Sequence, residues 1–231
     1  MRDLQPSLRS PPHGGLHELV FCIKEPQPVQ PKFLVVLLHG VGSSELSMKD
    51  LGDCLSDDTL VLMPRGPLDL GTSQAAWFRV AFTHHGPKIV EVEAESARQT
   101  LIRFIQQVQT EYNIAPKNSV IAGFSQGGIM SASVGLTRPD LVAGFGVLSG
   151  RILPELAPQI ASSENLKDLK AFIGHGEFDN VLPVMWAEKS KHLLEELNVS
   201  FVSQRYPVEH RISSEMQADF LNWVTNTLKS A

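Results

Sequence analysis

The chain has 231 residues, 42% of them hydrophobic, and a formal net charge of -5. That length suits one large α/β domain or two small ones, and the apolar share can build a sizeable core, which excludes global disorder. A mild negative charge without a dense basic patch excludes nucleic acid as the main partner.

Residues 1–15 are polar, rich in Pro, Ser and Gly, and read as a flexible segment lacking the apolar centre of a signal peptide. No run reaches the ~18 apolar residues of a membrane span, so the expected location is the cytoplasm, with no integral membrane association. Leu16 to Ile23 alternates as a strand does, and the proline-rich stretch from Lys24 to Pro31 is a turn that cannot join a ladder. Phe33 to Leu38 is a continuous apolar run, as expected of a strand buried on both faces of a mainly parallel sheet, and Thr59 to Met63 repeats it. Cys22 and Cys54 have neither CxxC nor metal spacing and read as buried or semi-buried free thiols.

A long connection from Arg65 to Val90 precedes a helix expected over Val92 to Tyr112, with Leu101, Ile102, Ile105 and Val108 on one face. Val120 to Ala122 is a short strand. Buried strands follow at Val142 to Leu148 and Leu169 to Ile173, then an amphipathic helix at Pro183 to Leu197, a strand at Val199 to Tyr206 and a helix at Ser213 to Leu228. Strands alternating with helices at this spacing predict a doubly wound α/β sheet in one domain over 16–231. The 20 residues from Ser149 to Asp168 have room for a short helix but not for a full cap domain.

Chemistry concentrates at Gly123-Phe124-Ser125-Gln126-Gly127. Gly-x-Ser-x-Gly alone is modest evidence; an apolar strand before it and a small-residue helix after it match a nucleophile elbow, where a strained turn holds a serine hydroxyl clear of the sheet. Such a serine needs a base and a carboxylate that orients the base, and with this elbow both follow it in the chain. Asp179, in a glycine-bearing loop after the strand ending near Ile173, is the expected acid, with Glu177 in reserve. Asp140 falls at the exit of the elbow helix, and Asp168 precedes its strand at the wrong edge of the sheet. His210 follows the last strand and is the expected base. His192 lies on an amphipathic helix as a solvated residue, His175 reads as loop packing, and His84-His85 as an exposed loop without metal-ligand spacing. Backbone N–H groups for a developing oxyanion are expected from Gln126, at the positive end of its helix, and from Val41 in the glycine-rich loop Leu38-His39-Gly40-Val41-Gly42-Ser43.

Together with Pro64-Arg65-Gly66-Pro67, Ala76-Trp77-Phe78 and His175-Gly176, these motifs resemble the phospholipase/carboxylesterase family of α/β-hydrolases, which includes bacterial carboxylesterases and acyl-protein thioesterases. The resemblance runs from about Phe33 onward. It implies an α/β-hydrolase fold without a large lid, and hydrolysis of esters or thioesters with Ser125 as nucleophile, Asp179 as acid and His210 as base. It also implies that the region of Trp77 and Phe78 helps position the loops and the bound acyl group; the alternative, that both rings only anchor the core, stays open. Three positions depart from the family's habit: Ser43 replaces an acidic residue, Asn180 a proline and Glu209 a glycine.

The resulting expectation is a serine carboxylesterase acting on small, largely neutral esters, needing no metal or organic cofactor. Lysophospholipase and acyl-protein thioesterase are the rivals within hydrolases, and a non-catalytic binding protein on the same fold is the rival of another class. Expected partners are a small ester or thioester, with a homodimer left open.

Overall fold

The computed structural model of the protein describes residues 18–83 and 86–229. Residues 1–17 and the His84-His85 pair lie outside that range. Seven strands form the central sheet: β1 (Phe21–Ile23), β2 (Phe33–Leu38), β3 (Thr59–Pro64), β8 (Ser119–Phe124), β9 (Gly144–Leu148), β10 (Lys170–Gly176) and β11 (Ser200–Tyr206). Their order is β1-β3-β2-β8-β9-β10-β11. All neighbours run parallel except β1, which pairs antiparallel with β3 at one edge.

The apolar runs are explained by alternation across this sheet. In β2, Leu34, Val36 and Leu38 face one core cluster while Val35 and Leu37 face the other. β10 divides the same way, with Ala171 and Ile173 on one face and Phe172 on the other. A strand buried on both faces keeps no polar position, so its sequence reads as an unbroken hydrophobic run. The first cluster is completed by α2 (Glu91–Tyr112), α3 (Gln126–Thr137) and α5 (Met185–Glu196), the second by α1 (Lys49–Asp53) and α6 (Ser214–Lys229). In α2, Leu101, Ile105 and Val108 are buried, and the helix ends at Asn113 in the left-handed region, φ 52°.

Several details differ from the sequence reading. Among the described residues of the 16–23 segment, only Phe21–Ile23 is strand. β10 runs on past Ile173 through Gly176, because β11 continues to pair with it as far as Tyr206. The Arg65 to Val90 connection folds into two small antiparallel pairs, β4 (Leu68–Gly71) with β5 (Gln74–Ala76) and β6 (Val80–Thr83) with β7 (Gly86–Ile89). Cys22 is buried as expected, but Cys54 is exposed just after α1. Between β9 and β10 there is only a 3₁₀ segment at Pro154–Gln159 and the one-turn α4 (Ser163–Leu166). No helix among the described residues is long and apolar enough to cross a membrane.

Parallel strands deliver their following loops to one edge. The loops after β2, β8, β9, β10 and β11 carry Gly40, Ser125, Arg151, Asp179 and His210 respectively, and four of these five residues line a common cavity.

Candidate active site

The turn from β8 into α3 sets Ser125 at φ 53° and ψ -115°, a conformation that costs a non-glycine residue ~1–3 kcal/mol. Surrounding contacts hold it there. The Ser125 N–H donates to Leu148 O at 2.8 Å, tying the turn to the neighbouring strand. Gly127 lies so close to β2 that a Cβ would stand 2.1 Å from Leu38 O, so only glycine fits.

Asp179 and His210 arrive on two loops joined backbone to backbone. Glu177 N–H donates to Tyr206 O at 2.8 Å, and Phe178 N–H to Val208 O at 3.0 Å. Gly176 permits this approach, since a Cβ there would lie 2.4 Å from the carbonyl oxygens of both Val208 and Glu209. Asp179 Oδ1 then accepts from the N–H groups of Val181 (2.9 Å) and Leu182 (2.8 Å), which leaves Oδ2 for His210 Nδ1 at 2.6 Å. His210 Nε2 lies 3.0 Å from Ser125 Oγ. A proton on Nδ1, held by the carboxylate, leaves the Nε2 lone pair facing the serine hydroxyl, the tautomer a general base needs. Phe124 packs on the imidazole with ring centroids 4.8 Å apart.

The reserve acid and the less favoured candidates stand elsewhere. Glu177 is exposed, and Asp140 pairs with Arg138 beyond α3. His192 is exposed beside Glu195 and Glu196. His175 is fully buried and does more than fill space: its Nε2–H donates to Leu182 O at 2.7 Å, bracing the loop that carries Asp179. Burial holds its pKa below the ordinary histidine value, so the ring is neutral.

The opposite wall is the loop after β2. Gly42 N–H donates to Ala75 O (2.9 Å) and Ser43 N–H to Gly40 O (3.3 Å), while no bond within the described residues takes the Val41 N–H. The Gln126 N–H opens α3 and therefore has no intrahelical acceptor. Both residues line the cavity beside Ser125.

Three side chains fix this wall. His39, fully buried, donates from Nδ1 to Gly40 O (2.7 Å) and accepts the Gly66 N–H at Nε2 (2.9 Å). Burial lowers its pKa as well, which suits a ring that accepts at one nitrogen. Trp77 Nε1–H donates to His39 O (2.9 Å). The Gln126 side chain accepts the Trp77 N–H (2.8 Å) and donates to Phe78 O (2.7 Å). Trp77 and Phe78 thus divide. Phe78 lines the cavity, whereas Trp77 is fully buried and holds the His39 carbonyl, which favours the core-anchoring alternative for that ring alone.

The cavity holds about 520 Å³, and apolar Phe78, Val80, Ile89, Ile129 and Leu182 form much of its wall. Its dimensions admit a small acyl group beside Ser125. Among the described residues no cluster of three or more His, Cys, Asp or Glu could hold a metal ion. The sequence reading missed His39, the Gln126 amide and Arg151, which also lines the cavity. His39 and Gln126 stand within motifs, but the bonds of their side chains are fold contacts that leave no local pattern.

A profile of the Phospholipase/Carboxylesterase family matches residues 20–228. The chain belongs to that family. It is an ester-hydrolysing enzyme of the carboxylesterase type, on an α/β-hydrolase fold without a large cap among the described residues. Over 225 residues it is 28% identical to acyl-protein thioesterase 1 of Kluyveromyces lactis, covering 90% of this chain and 98% of that relative. Among solved structures, esterase PE8 superposes with a TM-score of 0.79 at 24% identity, covering 91% of this chain and 99% of that one. The Bacillus cereus carboxylesterase gives 0.76 at 21% identity, covering 91% and 95%. At those identities the two structures speak for the fold alone.

Proposed function

We propose that the chain cleaves carboxylic esters through an acyl-enzyme intermediate on Ser125. The observation that carries this reading is the single imidazole of His210 set between Ser125 Oγ at 3.0 Å and Asp179 Oδ2 at 2.6 Å. His210 takes the hydroxyl proton as Oγ attacks the acyl carbon, and Asp179 stabilises the imidazolium. The negative oxygen of the tetrahedral intermediate is received by the N–H groups of Val41 and Gln126. His210 then returns its proton to the leaving alkoxide, and water repeats the sequence to release the acid. The expected setting is the cytoplasm, with a small ester as partner. A thioester substrate is the second reading, favoured by the likeness to an acyl-protein thioesterase.

The test is a panel of 4-nitrophenyl esters and acyl-thioesters of increasing chain length, run on wild type and Ser125→Ala. Turnover in wild type and loss of at least about 10⁴-fold in the variant are expected. Unchanged turnover in a folded Ser125→Ala protein overturns the reading, and the ratio of ester to thioester rates decides between the two substrates.

A further inference from the structure

Arg151 follows β9 and lines the same cavity as Ser125 and His210, yet its side chain is only 3% exposed. Its Nε and Nη2 are buried with no hydrogen-bond partner. Burial pulls its pKa below the ordinary arginine value and Glu155 partly offsets this, but a guanidinium stays charged in a protein. A buried charge without a partner is among the least favourable arrangements a fold can retain.

The edge without an acceptor is informative. Nε and Nη2 form one side of the guanidinium fork, and in four other arginines that side holds a carboxylate. Arg98 grips Glu95 with it at 2.9 and 2.7 Å, Arg138 grips Asp140 at 2.8 and 2.7 Å, and Arg103 grips Glu18 at 3.3 and 2.6 Å. Arg79 uses the same pair of nitrogens on Glu93. Arg151 alone among these five has no carboxylate on that edge.

Its position is nevertheless built. The guanidinium carbon lies 4.4 Å from the Trp186 ring centroid, a contact that holds the cation while offering its N–H edge no acceptor. Ile152 N–H donates to Ser190 Oγ at 3.1 Å, and Ser190 donates to Trp186 O at 2.9 Å, pinning the Arg151 loop to α5. The cavity's charge points the same way. Arg151 and Arg211 are among its lining residues and no Asp or Glu is, although the chain as a whole carries -5.

We propose that Arg151 is a specificity-determining residue that receives a carboxylate carried by the substrate, so that the preferred substrates are anionic esters rather than neutral ones. Planar two-point pairing with a carboxylate is what this fork does best, and binding requires the covered Nε–Nη2 edge to turn toward the cavity. This inference rests on the ester-hydrolase reading and deepens it.

The experiment compares matched esters. On the acyl side, the mono-4-nitrophenyl esters of glutaric, adipic and pimelic acid are run against the same compounds with the free carboxyl methyl-capped. On the alcohol side, 4-carboxyphenyl butyrate is run against its methyl ester. In at least one pair the anionic ester is expected to have the higher kcat/KM by about tenfold or more, expressed mainly in KM. Arg151→Met abolishes that preference and Arg151→Lys keeps part of it. Fluorophosphonate labelling of each variant reports whether Ser125 is still presented, so a misfolded variant is recognised as such. If wild type turns over the neutral ester as well as the anionic one in every pair, or if folded Arg151→Met keeps the preference, the assignment of Arg151 is wrong while the esterase reading stands. No turnover of any ester and no labelling of wild type removes both.

Discussion

The two walls beside Ser125 are held by different chemistry. On the acid-base side, the loops carrying Asp179 and His210 are joined through main-chain bonds from Glu177 and Phe178, and their close approach depends on Gly176. On the oxyanion side, the loop after β2 is held largely by the side chains of His39, Trp77 and Gln126, reaching main-chain groups far along the sequence. The first wall should tolerate side-chain changes at its exposed seam residues Glu177 and Phe178 and fail when a side chain enters the backbone seam. The second should fail one named residue at a time.

The largest effect expected from this contrast is at the seam. Gly176→Ala puts a methyl group into two carbonyl oxygens and should cost ~3 kcal/mol, with turnover falling ~100-fold as His210 is displaced. Thermal unfolding and ester kinetics measure both, and a variant near wild type would break the contrast. Gln126→Ala keeps its backbone N–H but strands the buried Trp77 N–H and Phe78 C=O, for a cost of ~2 kcal/mol. KM should rise with it, because Phe78 forms part of the cavity wall; an unchanged midpoint in a denaturant titration would contradict the clamp.

Acid should strain both walls, since each contains one buried neutral imidazole, His39 or His175, with a pKa lowered by burial. The unfolded chain, with ordinary histidines, binds more protons in the window below ~6.5, so stability is lost as pH falls through that value. Tm measured from pH 8 to pH 5 should drop in that window, and His175→Asn should flatten the drop. The smallest effect belongs to Glu177→Gln on the main-chain wall, expected within ~0.5 kcal/mol and with little change in turnover. A large loss there would revive Glu177 as the acid.

The same contrast explains what could be read from the sequence. The strands of the sheet were legible because burial on both faces leaves runs such as Phe33–Leu38. Ser125, Asp179 and His210 were legible because elbow chemistry fixes their order and parallel strands deliver them to one edge. The clamp was not, since its bonds join residues 27 to 49 positions apart and need no local pattern. The place of Trp77 stayed open for that reason: a tryptophan beside a site reads equally as contact or anchor until the acceptor for its indole N–H is known. Arg151 was missed because a guanidinium edge without an acceptor is a property of the folded surroundings alone.

The most direct test of the account is peptide mapping by mass spectrometry after wild type reacts with a fluorophosphonate. A single adduct on the peptide containing Ser125, absent from Ser125→Ala, is the predicted result. An adduct on another residue, or ester turnover with Ser125 unlabelled, would contradict it.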